Sequence, residues 1–428
     1  MIEYKYLRPE KARHLKQRAD AAFPETKVNY NTYDDATILP LKKCLDGEVL
    51  FGYGGVKDSQ DKFIEASGIV ARFWGSYPTD DVEIRNETVV YCGLFMQHWG
   101  HFLVESVSRL WYFLEHDDGV SKYVFVVEEN GDKEIKGNYK RFFELLGVSD
   151  RIEIINRPTR FKNVIVPELA YSRTKYYSQQ YKNLFDTIVK NAVSINPLIN
   201  KAKKIYFSRG HFSKAINSEI GNDMLESYFA SNDFTILYPE ELSLEEMICY
   251  IRNADICATP SGTLPHNFLF AQDGQKVIIV ERQAVINEIQ VDVDRIKDLS
   301  TIYVDGYWLI YPSFSGGGPF CYGYTPQFKN FTIENKYLHP EEKFLTEKHK
   351  RRCLKTFLKV HRDCYGYDWG MEKWTLIYSE ALIEAHETTV EEFHDYIKGI
   401  KPFLWKHYFQ LPYIKRIIKP LILKIIRK

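Results

Sequence analysis

Between Lys204 and Glu281 the chain alternates between two hydrophobic periods, and few folds accommodate that. Lys204–Ser208, Phe234–Tyr238, Asp255–Ala258 and Lys276–Glu281 are short apolar runs, while Asp223–Ala230, Ser243–Asn253 and Leu264–Ala271 carry helical spacing. Short apolar strands divided by helices need a parallel sheet covered on both faces. The first half reads the same way: strands at Thr88–Tyr91, Tyr123–Val127, Ile152–Ile155 and Val164–Pro167, with helices at His101–Leu114, Tyr139–Leu146 and Tyr181–Ile195. Asn196-Pro197 stops the last of these. Before residue 60 the sequence predicts only a charged helix, Glu10–Asp20, then turn-rich chain through Gly52-Tyr53-Gly54-Gly55. The expectation is an α/β fold in two halves: domains at 1–197 and 198–310, a loop and helices at 311–395 returning toward the first, and a tail at 396–428. Ligands of such folds bind beyond the carboxyl ends of strands, so chemistry belongs in the loops that follow them.

Charge narrows the partners. Across 428 residues, 57 Lys and Arg balance 57 Asp and Glu, which argues against a whole-protein grip on nucleic acid. The balance conceals an asymmetry, since nine basic residues and no acidic one follow Asp395. In that tail Ile414, Ile417, Ile418, Leu421, Ile422 and Ile425 recur at helical spacing, with Arg416, Lys419 and Arg427 largely opposite. Such a basic amphipathic segment suits an anionic membrane surface, or else packs on its own domain. Seven scattered cysteines without C-x-x-C fit a reducing compartment. With no signal-like apolar stretch and no run near the roughly 18 residues of a membrane span, the expected location is cytoplasmic, peripheral at the inner face of the plasma membrane.

Three segments could carry chemistry. In Gln97–Arg109, which enters a helix after a strand, His101, Glu105 and Arg109 fall on one helical stripe, with His98 one turn before His101. A carboxylate one turn from a histidine can act as general base toward a hydroxyl; the same residues also read as an ordinary helix ion pair with a capping histidine. Arg209, at a strand end beside Gly210, is placed to fork onto a phosphate, or to sit in a solvated turn. Ser261-Gly262-Thr263 precedes a helix whose first turn holds Pro265, with His266 and Asn267 just inside it. Exposed backbone N–H groups there would form an anion site, with Thr263 as N-cap.

Other signals point elsewhere. His98 and His101 begin an H-x-x-H pattern, but no third ligand is evident nearby. Asp292-Val293-Asp294 matches a metal-holding D-x-D, yet lies in an alternating stretch, Ile289–Val293, predicted as a strand with its aspartates facing solvent. A metal-dependent phosphodiesterase or phosphatase would use His98, His101, Asp292 and Asp294. A non-catalytic scaffold of an assembly complex on the membrane would need only the tail. Gly316-Gly317-Gly318-Pro319 reads as a mobile loop.

Together these segments resemble glycosyltransferase family 61. The family's aromatic-Gly-His-aromatic-x-x-Glu stretch is matched by Trp99-Gly100-His101-Phe102-Leu103-Val104-Glu105. Its second block is matched in order by Arg209, Ile216-Asn217-Ser218-Glu219, Pro239-Glu240-Glu241-Leu242-Ser243 and Ser261–Asn267. Ser261 stands where the family usually has histidine, and the basic cluster after Arg209 is reduced to His211 and Lys214. The resemblance implies a GT-B-like architecture, two Rossmann-like domains facing across a cleft. It also implies inverting transfer of a sugar from a nucleotide-sugar donor without an essential metal or other cofactor. The acceptor would be a saccharide or lipid-linked saccharide of a bacterial capsule, O-antigen or related surface polysaccharide. On this reading Glu105 is the base, with His101, Arg109 and His98 beside it. Arg209, Asn217, Ser261, Gly262, Thr263, His266 and Asn267 hold the donor, and Glu240 or Glu281 its ribose.

Overall fold

The computed structural model describes residues 1–43, 52–68, 73, 75–116, 120–196, 202–212, 218–308 and 318–365. Asn217, Gly316, Gly317 and the basic tail lie outside these residues. The described chain runs β1 (Ile2–Tyr6), α1 (Pro9–Asp20), β2 (Tyr30–Lys43), β3 (Gly52–Lys57), β4 (Glu83–Leu94), α2 (Trp99–Val104), α3 (Trp111–Glu115), β5 (Lys122–Val126), α4 (Gly137–Leu146), β6 (Ile152–Ile155), β7 (Thr159–Pro167), β8 (Tyr171–Ser172), β9 (Tyr176–Tyr177) and α5 (Gln179–Ile195). It continues with β10 (Lys204–Phe207), β11 (Glu219–Ile220), α6 (Asn222–Ser231), β12 (Thr235–Leu237), α7 (Leu244–Asn253), β13 (Ile256–Pro260), β14 (Lys276–Glu281), α8 (Glu288–Ile296), β15 (Ser300–Asp305), β16 (Phe320–Cys321), α9 (Pro326–Glu334), α10 (Glu342–Leu345) and α11 (Glu347–Tyr365).

Two six-stranded sheets result. One, ordered β1-β15-β14-β13-β10-β12, is parallel throughout. The other, β3-β2-β7-β4-β5-β6, is mixed: β2 runs antiparallel to β3 and β7, and the remaining pairs are parallel. The α/β expectation is met, and the reason is visible along each strand. In β4, Val90 and Cys92 enter one apolar cluster while Val89 and Tyr91 enter another; in β14, Val277 and Ile279 part from Ile278 and Val280 in the same way. Both faces of each sheet are covered, so the strands read as continuous apolar runs.

The inner faces of both sheets and residues of α4, α5 and α7 between them contribute to one continuous core. α5 packs on α7. The N-terminal β1 is an edge strand of the second sheet, beside β15, and α1 packs on α8. Past residue 318, α9 packs on β15 and β1, and α11 on β11 and β16; residues 366–395 of the segment expected to return toward the first half lie outside the described residues.

Three local readings need correction. Gly52–Gly55, predicted as a turn, opens β3, the partner of a 14-residue β2 that the polar sequence Tyr30–Asp35 concealed. The helix predicted at His101–Leu114 breaks at Glu105 into α2, a 3-10 turn at Ser106–Arg109 and α3. Ser106 Oγ donates to the Leu94 carbonyl and Ser108 Oγ to that of Tyr171, so the serines tie the chain to neighbouring loops at the break. Asp292-Val293-Asp294 lies in helix α8, both aspartates fully buried, because Ile289, Val293 and Ile296 form a helical stripe inside the apparent alternation.

Candidate active site

Four strand ends carry the polar residues in question. β4 runs through Phe95–His98 into α2; β10 is followed by Ser208-Arg209, β13 by Ser261–Thr263 and β14 by Arg282. Strands β4 and β13 belong to different sheets, yet the segments after them touch. A Cβ on Gly100 would lie 2.8 Å from Thr263 Cγ2 and 3.1 Å from His266 Cδ2. Only glycine permits this approach. Next to it, Trp99 Nε1 donates to Asn267 Oδ1 at 2.7 Å, with the indole stacked on Phe102.

At this junction His101 Nδ1 lies 3.0 Å from Glu105 Oε1, both side chains partly exposed. His98 is 4.8 Å from His101 between ring centroids. Burial, then the neighbouring His101 and Arg209, hold the His98 pKa below its ordinary value. Arg209, which follows a strand of the second sheet, is thus near enough to disfavour the His98 cation. Its Nε donates to Glu219 Oε1 at 2.8 Å, and Arg282 Nη1 reaches the same oxygen at 2.5 Å. Tyr322 donates to the other carboxylate oxygen at 2.6 Å. Two guanidiniums on one buried carboxylate leave one positive charge over, and Arg282 Nε is buried without a hydrogen-bond partner. Such a pair can take an anion in fork geometry. Gly262, at φ 129°, passes directly over Arg282 Nη2. Beside Arg209 a cavity of about 490 Å³ opens, lined by Gly210, His211, Asn222, Glu226 and Arg352 of α11, within the range of ligand pockets.

The family Glycosyltransferase 61 matches residues 99–278. This stretch belongs to glycosyltransferase family 61. It begins at the tryptophan before Gly100 and encloses Glu105, Arg209 and the Ser261–Asn267 turn, so the matched span includes both sides of the junction. The family supports glycosyltransferase activity. No curated protein matches the chain.

In and around the family-61 region the predicted residues sort by partner. Glu105, His101 and His98 stand together, with Thr263 and His266 against the Gly100 between the two histidines, while Gly262 lies on Arg282 and Arg209 on Glu219. Arg109 does not share their stripe: fully buried past the helix break, it donates to the carbonyls of Pro167, Ala66 and Gly68. Thr263, expected to cap a helix, makes no side-chain cap bond; the segment after it is a 3-10 turn, Leu264–Phe270. Asn267 is engaged by Trp99 and by the Leu264 carbonyl, and Ser261 Oγ accepts from the Arg282 N–H. Glu240 lies exposed on the 3-10 turn Pro239–Glu241, where its neighbour Glu241 meets His211. Glu281, expected at the ribose, is buried against Lys11 Nζ at 2.8 Å. Asp292, the other candidate metal ligand, is held by Arg18, by Tyr171 Oη and by the Thr174 N–H. Among the described residues no three His, Cys, Asp or Glu side chains converge as a metal site requires, and no helix is long and apolar enough to cross a membrane.

Sequence reasoning missed Arg282 and Gln290. Arg282 had a legible signal, a guanidinium directly after a strand, as at Arg209. Gln290 had none, because its partner His266 is 24 residues away.

Proposed function

We propose that this chain is an inverting, metal-independent glycosyltransferase of GT-B-like layout. It would extend a bacterial capsule, O-antigen or related surface polysaccharide at the inner membrane face, its basic tail on the anionic lipid surface. What supports the reading most is that the Gly100–Thr263 contact joins the segment bearing the His101–Glu105 pair to the turn whose Gly262 lies on Arg282, the partner of Arg209 on Glu219. The acceptor hydroxyl attacks the anomeric carbon of the donor, and Glu105 takes its proton as the new C–O bond forms. The bond from that carbon to the phosphate oxygen breaks, and Arg209 and Arg282 stabilise the charge growing on the departing diphosphate. His101 orients the Glu105 carboxylate. The cavity beside Arg209 offers room for the nucleoside.

Thermal-shift measurements with UDP, GDP, CMP and their sugars, with and without EDTA, test the donor. One nucleotide class should raise the melting temperature regardless of chelator; stabilisation by metal alone, or by no nucleotide, would refute the reading. Glu105→Gln should lower transfer by about 10²–10⁴-fold with the donor-induced shift unchanged. Unaltered turnover would remove Glu105 from the base role.

A further inference from the structure

His266 sits under the junction, 3% exposed, at the end of a hydrogen-bonded chain that the proposed chemistry does not use. Its Nδ1 lies 2.9 Å from Gln290 Oε1, Gln290 Nε2 lies 2.9 Å from Asp294 Oδ1, and Tyr303 Oη lies 2.6 Å from Asp294 Oδ2. The direction of each bond follows from what each group can do. A carboxylate only accepts, so the Gln290 amide must turn its NH₂ to Asp294 and its oxygen to His266. An amide oxygen also only accepts, so Nδ1 must carry the imidazole proton. Gln290 and Asp294 are themselves buried, at 2% and 1% exposure, and α8 holds them one turn apart. The ring stays neutral because burial pushes its pKa down to about 4.

The opposite nitrogen, Nε2, is then a bare acceptor. It neighbours Cδ2, the edge turned to Gly100 between His98 and His101, and it has no hydrogen-bond partner among the described residues. A bare imidazole nitrogen repels phosphate oxygens and accepts from hydroxyls.

We infer that Gln290 and Asp294 are positioning residues that lock His266 as its Nδ1–H tautomer, so that Nε2 accepts a hydrogen bond from a sugar hydroxyl in the junction. This replaces the expected diphosphate contact for His266. The identity of the hydroxyl rests on the transferase reading; the tautomer does not.

Nitrogen-15 NMR of the full chain labelled at histidine, with His266 assigned by its loss in His266→Gln, tests the tautomer. The wild-type spectrum should show a protonated Nδ1 and a bare Nε2, and Gln290→Leu should move the proton toward Nε2. Asp294→Asn, which frees the Gln290 amide to turn over, is a second variant should the first fail to fold. In transfer assays with UDP-, GDP- and CMP-linked sugars, either variant should raise one KM about tenfold, with binding of the free nucleotide unchanged. A raised donor KM assigns the hydroxyl to the donor sugar, and a raised acceptor KM to the acceptor. An Nε2–H tautomer in the wild type overturns the inference and leaves the transferase reading intact, as does a tautomer change that moves neither KM. So does an equal loss of free-nucleotide binding. The expected tautomer in a protein that transfers no sugar refutes the transferase reading, and with it the hydroxyl role.

Discussion

His266 and Asp294 tilt the protein's pH response in opposite directions. The folded His266 binds its proton below the ordinary histidine range, near pH 4, because burial disfavours the cation. Its contribution is present above pH 6.5 and is lost as pH falls toward 4. Burial raises Asp294 to about 6, so the folded state there holds a proton that the unfolded chain has released. Stability from that group falls as pH rises from about 4 to 6. Across this window the two slopes oppose each other. Relative to wild type, His266→Gln should lose stability as pH rises between about 4 and 6, and Asp294→Asn should gain it; urea unfolding at several pH values reads both. Gly262 carries a second residue-scale prediction. Its φ of 129° and the Arg282 guanidinium beneath it leave no place for a methyl group. Gly262→Ala should displace Arg282 from Glu219 and weaken nucleotide binding at least tenfold, measured by calorimetry, and unchanged affinity would remove Arg282 from the anion site.

Among the elements, α7 shows what sequence reading does best. Ser243 accepts from the Glu246 N–H while Glu246 accepts from the Ser243 N–H, the capping box that Ser-x-x-Glu predicts. Ser243→Ala should cost about 1 kcal/mol, seen as a lower denaturant midpoint at unchanged m-value. Helices α2 and α8 show where such reading stops. The spacing His101, Glu105, Arg109 is helical on paper, but Ser106 and Ser108 bond to the β4 end and to β8 across the break, and Arg109 turns to other partners. In α8 the sequence I-Q-V-D-V satisfies both a period of two and a helical stripe. Burial of both aspartates selected the helix, since Arg18, Tyr171 and Tyr303 were there to receive them.

On the scale of the whole molecule, α1 is bonded into the second sheet by charge. Lys11, 1% exposed, reaches Glu281 and Asp305 at the ends of β14 and β15, and Arg8 also meets Asp305. Burial opposes the lysine's charge, yet the two carboxylates hold its pKa above the ordinary value. Lys11→Met would leave two buried carboxylates short of a cation and should destabilise the fold by roughly 3–5 kcal/mol, measured by denaturant unfolding. A loss below 1 kcal/mol would show that Arg8 suffices. Alternating periods and turn residues were enough to read the α/β class, most strands of the two sheets and the order of the family-61 motifs, because each depends on residues within a few positions of one another. The pairing of Gly100 with Thr263 and His266, the second arginine beneath Gly262, the capture of Glu281 by Lys11 and the His266–Gln290–Asp294 chain needed the folded chain. Each joins residues on different elements, where the partner that desolvates or neutralises a group, rather than its own neighbours in sequence, decides what it can do.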